Sequence, residues 1–348
     1  MPNVAKAAIL VESNKPLVVD EIELPDVLGP GQVKVKVLYS SICGAQINEI
    51  TAAKGPDKFL PHLLGHEASG VVELCGPGVT TVQAGDSVVL HWRPSRGIQC
   101  APPEYQWRDK KLNAGWVTTF NEYAVISENR LTLMPGGCDP KIAPLLGCAV
   151  TTALGVINND AKVAIGESVV VMGAGGVGLN IVQFARLVAA HPIIAVDLLD
   201  NKLEMAKQFG ASHCINSNSI DDLGAEIRKI VGDAGADKVL ETTGVKDVIE
   251  LAYDITHADG TCVLIGVPLE KVTLYTLPIH FNKVLTGSHG GDSVPDVDIP
   301  RITKLMQADK MNLDGIITHE FDLDDVNAAL DLVRSGNCGR VLLKVTGN

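Results

Sequence analysis

The 348-residue chain has no CxxC pair among its eight cysteines, few aromatic residues (4%) and no long uninterrupted apolar run. Each absence excludes something. The cysteines, at positions 43, 75, 100, 138, 148, 214, 262 and 338, are too dispersed for a small disulfide-stapled domain. They read as reduced thiols with a few metal ligands among them. The most apolar stretch, 168–185, is broken by four glycines, Asn180 and Gln183, which is too polar for a membrane span. Basic residues are outnumbered, 29 Lys plus Arg against 41 Asp plus Glu. The resulting net charge of −12 argues against general affinity for nucleic acid or anionic membranes. The N-terminal residues turn charged too early for a signal-peptide core and lack the Arg-rich bias of a transit peptide, so a cytoplasmic location is expected.

What is present is globular. Hydrophobic residues make up 46%, which excludes a disordered chain, and the length suggests two domains with a core each. The 34 glycines show no three-residue period and so no collagen. Val33-Lys34-Val35-Lys36-Val37 alternates apolar and charged residues, the mark of a strand with one wet face. Short valine-rich runs around Gly76-Pro77-Gly78 and Gly85-Asp86 predict an antiparallel, partly closed β-domain. Near residue 150 the texture changes to alternating strands and helices, with strands at 169–172, 193–196, 238–241 and 262–265. That alternation predicts a parallel sheet with helices on both faces. The closing run Val341-Leu342-Leu343-Lys344-Val345 is a strand again and is expected to rejoin the first domain.

Gly173-Ala174-Gly175-Gly176-Val177-Gly178 matches G-x-G-x-x-G between a strand and a helix. The glycines at 173, 175 and 178 allow a tight turn, close approach of a pyrophosphate, and close helix–strand packing, while the helix N-terminus favours negative charge. Gly-rich turns also occur for packing alone, but here Asp197 ends the next strand, placed to accept both hydroxyls of an adenosine ribose. The carboxylate would repel a 2′-phosphate, and Leu198 and Leu199 follow it instead of arginines, so NAD is favoured over NADP. Lys202, the nearest cation, either holds a ribose hydroxyl or is a solvated helix charge.

Zinc prefers thiolate and imidazole, and a catalytic site leaves one position open. Cys43, His66 and Cys148 could supply a Cys₂His set, although their spacing alone proves nothing. Their contexts are Ser41-Ile42-Cys43-Gly44, Gly65-His66-Glu67-Ala68-Ser69-Gly70 and Gly147-Cys148-Ala149-Val150-Thr151-Thr152. With these elements, Gly85-Asp86-Ser87-Val88 and the glycine turn in this order, nearly the whole chain resembles the zinc-containing medium-chain alcohol dehydrogenase family. The resemblance implies an α/β protein: a GroES-like β-rich catalytic domain (1–149 and 291–348) and a Rossmann doubly wound parallel sheet binding NAD (150–290), with the active site in the cleft between them. It implies Cys43, His66 and Cys148 as zinc ligands and Glu67 as an acidic neighbour able to approach the metal. Trp92 looks like a substrate-pocket wall, Thr152 and Val267 like nicotinamide contacts, with Gly176 and Val177 in the cofactor turn, and Arg340 sits where a cation commonly meets the pyrophosphate. A homo-oligomer, dimer or tetramer, is implied as well.

Three departures from the family pattern matter. Two residues after Cys43, where Ser or Thr commonly relays the alcohol proton, stands Ala45; Asn48, in place of a shuttle histidine in some members, cannot titrate. Gln46 replaces an Asp that partners the ligand histidine, so the metal site should be more electropositive. The lobe that usually carries four cysteines holds only Cys100, so one zinc and no structural zinc is expected. That lobe holds all three tryptophans and, over 93–111, five cations (Arg93, Arg96, Arg108, Lys110, Lys111) against Glu104 and Asp109. It reads as a solvated lobe whose aromatics fill the space of the missing zinc, or as a clamp for an anionic substrate. The expected activity is hydride transfer between NAD(H) and a secondary alcohol, polyol or sugar-like substrate. The alternatives are a redox-neutral enzyme of epimerase or dehydratase type, hinted at by Ala45, and a non-catalytic NAD-binding protein on the same fold.

Overall fold

The computed structural model describes residues 3–347. The chain divides into two units, one of Met1–Cys148 and Val294–Asn348, the other Ala149–Ser293. Among the described residues no helix is long and apolar enough to cross a membrane.

The first unit is built on two sheets. In one, the strands run His62–Leu63, Val4–Leu10, Val18–Glu23, Tyr105–Trp107, Lys110–Leu112, each antiparallel to its neighbour. In the other, the order is Leu131–Leu133, Ser87–Leu90, Ala68–Cys75, Gln32–Ile42, Arg340–Lys344, Ile317–Asp322, and Tyr123–Ser127 also pairs with Gln32–Ile42. The C-terminal strand therefore does return: Val341 to Lys344 pair antiparallel with Ile42 to Tyr39. Val33, Val35, Val37, Val88, Leu90, Ile126 and Leu343 form one buried core between these elements and the helix Val326–Ser335.

The wet face expected at 33–37 is largely covered, with Lys36 half-buried. Gln32–Ile42 is paired along both edges, and Lys34 is only 7% exposed. Its ammonium lies 3.7 Å from the Glu73 carboxylate and 5.0 Å from the centre of the Tyr123 ring. Alternation located the strand correctly, but whether its polar side meets water depends on what covers it. Of the other cysteines, Cys214 is exposed on the edge strand His213–Asn216, whereas Cys262 is buried.

The second unit is a six-stranded sheet, parallel throughout, in the order His213–Asn216, Ile193–Asp197, Val169–Met172, Ala236–Glu241, Thr256–Leu264, Val284–Gly287. In chain order this is 3-2-1-4-5-6, the doubly wound arrangement that reverses beside Val169–Met172. The strand Val169–Met172 is wholly buried, which explains its unbroken apolar run.

A polar group in the first core has a pH signature. His91 is fully buried; its Nδ1 faces the Arg93 carbonyl at 2.7 Å and its Nε2 the Thr132 hydroxyl at 2.9 Å. Burial pushes it down to about 4, so the folded protein holds it neutral while the unfolded chain protonates near its ordinary 6.5. The unfolded state binds more protons between those values, and stability rises with pH there. His91 should cost about 2–3 kcal/mol on acidification from pH 7 to 4.5. Urea unfolding of wild type and His91→Gln at both pH values checks this: the variant should lose much less on acidification, and an equal loss in both would assign the acid sensitivity elsewhere.

Candidate active site

Three chain segments bring the metal-binding side chains of the first unit together. Cys43 follows the strand Gln32–Ile42 and precedes the short helix Gly44–Ile50. His66 lies between the strands His62–Leu63 and Ala68–Cys75, and Cys148 between the helical turns Ala143–Leu146 and Ala149–Gly155. The two sulfurs and one ring nitrogen lie within 4.8 Å of one another, and among the described residues no other group of His, Cys, Asp and Glu converges in this way.

The donor set fits zinc. Nε2 of His66 is buried without a hydrogen-bond partner, which is costly unless a ligand takes its lone pair. A hydrogen bond from the Cys148 thiol, followed by the influence of His66 and Arg340, holds Cys43 well below the ordinary thiol value; Cys148 rises correspondingly. That shift favours, at one sulfur, the thiolate form that zinc ligation requires. Burial opposes charge on His66, but contact with Cys43 outweighs it and raises the ring.

Gln46 organises the same corner. Its Oε1 accepts the Cys43 N–H at 2.9 Å and its Nε2 faces Nδ1 of His66 at 2.5 Å. A carboxylate could accept from both groups; this amide has one oxygen for two donors. With the amide nitrogen donating to Nδ1, the proton of the neutral ring sits on Nε2. Ligation through Nε2 moves it to Nδ1, where a carbonyl oxygen is needed to receive it.

Glu67 is fully buried and lies outside the group of three. Its Oε1 is paired with Arg340, whose Nη1 also donates to the Ile42 carbonyl at 3.3 Å. Burial raises the Glu67 carboxyl while Arg340 pulls it down; the same pairing raises Arg340 against its own burial. The guanidinium expected at a pyrophosphate is held here by a carboxylate and a carbonyl of the first unit.

A cavity of about 710 Å³ has His66 in its wall, together with Asn48, Glu49, Lys54, Phe59 and His62. The tryptophan-bearing lobe reaches it through Pro102, Asn113, Val117 and Thr118 and not through its arginines. Arg96 pairs with Asp296 at 2.9 Å, Arg108 with Asp20 at 2.7 Å and Lys111 with Glu104 at 2.5 Å. Trp107 is packed in the core, and Trp116 is 41% exposed with Arg130 stacked 5.3 Å from its ring. Trp92 is half-buried, its carbonyl accepting from Arg130 at 2.7 Å and its ring 5.8 Å from the Arg93 guanidinium. The lobe's charge excess is thus largely neutralised in place.

The glycine turn and, Arg340 apart, the residues expected around a dinucleotide lie in the second unit. Gly173 has φ +96°, and a Cβ at Gly178 would lie 1.9 Å from the Gly173 carbonyl oxygen, so the helix can approach the strand only without a side chain. At Gly175 a Cβ would meet nothing within 4 Å, which leaves open space before the N-terminus of the helix Gly176–Leu187. Asp197 accepts from the N–H of Ala174 at 2.8 Å and of Leu199 at 3.1 Å, tying the end of its strand to the glycine turn. Lys202 lies in the helix Asp200–Phe209, Thr152 is buried in Ala149–Gly155, and Val267 is 49% exposed in a loop. Sequence reading missed Glu241, fully buried at a strand end, which accepts the N–H groups of Thr243 and Gly244 and shapes the adjoining turn. It also missed Glu49, whose only signal was its place one helical turn after Ala45.

Two thiols and an imidazole converging in a β-rich unit, followed by a doubly wound parallel sheet, are the features of a zinc-type dehydrogenase. Comparison with known proteins agrees. Residues 29–136 match the alcohol dehydrogenase GroES-like domain and residues 176–308 the zinc-binding dehydrogenase domain. Alcohol dehydrogenase 2 of Solanum tuberosum is 32% identical over 97% of this chain and 96% of its own length. Among solved structures, an alcohol dehydrogenase zinc-binding domain protein from Burkholderia ambifaria superposes with a TM-score of 0.89 at 27% identity, covering 98% of this chain and 99% of the other. Benzyl alcohol dehydrogenase from Acinetobacter calcoaceticus gives 0.88 at 27%, covering 99% and 100%. The chain belongs to the zinc-containing medium-chain alcohol dehydrogenase family and is an oxidoreductase that interconverts alcohols and carbonyl compounds.

Two measurements check the metal corner. Cys148→Ala should purify with less than about a tenth of the wild-type zinc, since two remaining ligands hold the metal poorly; elemental analysis reads this directly. Gln46→Glu supplies acceptors for both the Cys43 and the imidazole N–H and should slow zinc loss to a chelator about tenfold. Equal loss rates would remove Gln46 from any part in metal retention.

Proposed function

We propose that the protein is an NAD-dependent dehydrogenase of a polar secondary alcohol, polyol or sugar-like substrate, with the reverse carbonyl reduction at the same site. The observation that carries this reading is the cavity beside His66, whose wall combines Asn48, Glu49, Lys54, Lys58 and the Asp57–His62 pair. Such a wall offers hydrogen bonds to a hydroxylated body, alongside apolar contact from Phe59, Leu63, Leu64 and Val117 for its carbon skeleton. Lys54 and Lys58 also give an anionic substituent a partner, a part the lobe's arginines serve less well once paired.

In this reading Cys43, His66 and Cys148 hold one zinc, with Glu67 beside it and Trp92 as a pocket wall. Zinc supplies Lewis-acid polarisation of a substrate oxygen, and the dinucleotide supplies hydride exchange. The chain's own work is positional. Gln46 and Glu67 orient the ligand loops, and Arg340 acts chiefly as the partner of Glu67. In the second unit Gly173, Gly175, Gly176, Val177 and Gly178 form the pyrophosphate turn, Asp197 and Lys202 meet the ribose, and Thr152 and Val267 face the nicotinamide.

A screen of alcohols, polyols and phosphorylated or nucleotide-linked sugars, followed by NADH absorbance, tests the activity. Turnover confined to simple primary alcohols would overturn the polar-substrate assignment. For the cofactor, Asp197→Gly should reduce the preference for NADH over NADPH by at least about tenfold, because the repulsion of a 2′-phosphate is removed. Fluorescence titration with both dinucleotides measures it, and tighter NADPH binding by the wild type would end the NAD assignment.

A further inference from the structure

Oxidising an alcohol to a carbonyl releases a hydroxyl proton as well as a hydride, and a group near the reacting oxygen has to receive that proton. The short helix Gly44–Ile50 buries Gln46 and Ile50 and turns Ala45, Asn48 and Glu49 outward. Ala45 and Glu49, four residues apart, share one face. The methyl group of Ala45 cannot take a proton, and Asn48 is a neutral amide. Glu49 reaches from the same face with a longer side chain and a carboxylate, into the cavity that has His66 in its wall.

The other titratable groups of that cavity are engaged or unsuited. His62 faces the Leu63 carbonyl with Nδ1 at 2.9 Å and the Asp57 carboxylate with Nε2 at 2.8 Å, so both ring nitrogens are engaged within the protein. Asp57 accepts from His62 and from the Phe59 N–H at 2.8 Å, and these bonds hold it below the usual carboxylate range against the effect of burial. Lys54 and Lys58 are donors without acceptor capacity. Glu49 alone combines accessibility with an uncommitted carboxylate: among the described residues its side chain makes no hydrogen bond and no ion pair. Burial raises it above the ordinary glutamate value; His66, His62 and Lys54 pull it down, and Cys43 adds to the rise. A raised carboxylate is a better base than an ordinary glutamate.

We propose that Glu49 is the base of the reaction, taking the hydroxyl proton of the alcohol in oxidation and returning it to the carbonyl oxygen in reduction. The step rests on the dehydrogenase reading above. The O–H bond breaks with its proton going to a Glu49 Oε, directly or across one cavity water. The carbinol C–H bond breaks with both electrons leaving as hydride to the oxidised nicotinamide dinucleotide, and the electrons left on oxygen close the C=O bond. The Glu49 carboxylic acid then loses its proton to solvent, regenerating the base.

The test uses zinc- and dinucleotide-loaded wild type, Glu49→Gln and Glu49→Asp. 2,3-Butanediol serves as the oxidisable probe, and pinacol, a tertiary diol that cannot be oxidised, as its inert counterpart. Zinc content and NADH affinity should be equal in all three proteins. For Glu49→Gln, kcat for oxidation should fall at least about hundredfold with KM within about threefold, and the acid limb of the kcat profile should vanish. Glu49→Asp should recover part of the rate and restore the limb. A second readout needs no turnover. In protein labelled with ¹³C at the glutamate carboxyl, the resonance missing from Glu49→Gln should titrate above the ordinary glutamate range and shift when pinacol binds at saturation. An unchanged pH profile in Glu49→Gln, or a resonance indifferent to pinacol, would overturn the role of Glu49. Wild type that oxidises no alcohol in the screen would overturn the dehydrogenase reading instead, and the resonance experiment would still decide whether Glu49 meets the diol.

Discussion

The buried pairing of Glu67 with Arg340 is the constraint around which the metal corner is arranged. Glu67 follows His66 directly. Arg340 donates to the carbonyl of Ile42, the residue before Cys43. Gly147, the residue before Cys148, lies so close that a Cβ there would stand 3.1 Å from the Cβ of Glu67 and 2.4 Å from the Leu90 carbonyl oxygen. One ion pair therefore touches the chain neighbour of each ligand. Two charges removed from water together gain little net stability, but stripping one of its partner costs about 3–5 kcal/mol. The value of the pair lies in geometry: the cost of breaking it holds three distant loops in one register.

Carboxylates recur as organisers elsewhere. Asp197 gathers the N–H of Ala174 and Leu199, Glu241 those of Thr243 and Gly244. Glu128, fully buried, takes the N–H groups of Thr80, Thr81 and Ile98, and these bonds keep it below the ordinary carboxylate range despite burial. Part of the acidic excess thus serves loop ends whose backbone donors would otherwise be unmet. At Asp197 the tie is mutual, because a carboxylate that fixes the glycine turn is itself fixed beside it.

The two architectures were legible because their signals are local. The glycine turn, the buried run 169–172 and the alternation of strand and helix each follow from a few neighbouring residues. What was not legible depends on distant partners. Lys34 looked wet because nothing in 33–37 reveals that Tyr123 and Glu73 will cover it. The lobe around Arg96 left an anion clamp open beside a solvated lobe because the acid that Arg96 meets, Asp296, lies two hundred residues further along. The convergence of Cys43, His66 and Cys148 could be anticipated from their contexts, yet Gln46 showed only as a missing charge, and the double demand on its amide depends on where the fold brings His66. Glu49 was hidden differently: attention fell on the positions where a relay group was absent, one turn away from a carboxylate on the same face.

The strand Arg340–Lys344 lies inside the second sheet of the first unit, between Gln32–Ile42 and Ile317–Asp322, and it carries Arg340 to Glu67. On a ribosome this strand emerges only after the whole of Ala149–Ser293 has been made. The first unit waits through that interval with one edge of Gln32–Ile42 unpaired at Tyr39 to Ile42 and with Glu67 lacking its cation. The parallel sheet, by contrast, has every strand it needs once Val284–Gly287 is out. The dinucleotide unit is therefore the first that can be complete, and the zinc corner the last. A nascent chain halted before residue 340 would present an open sheet edge to its surroundings, the state in which association with other chains competes with folding.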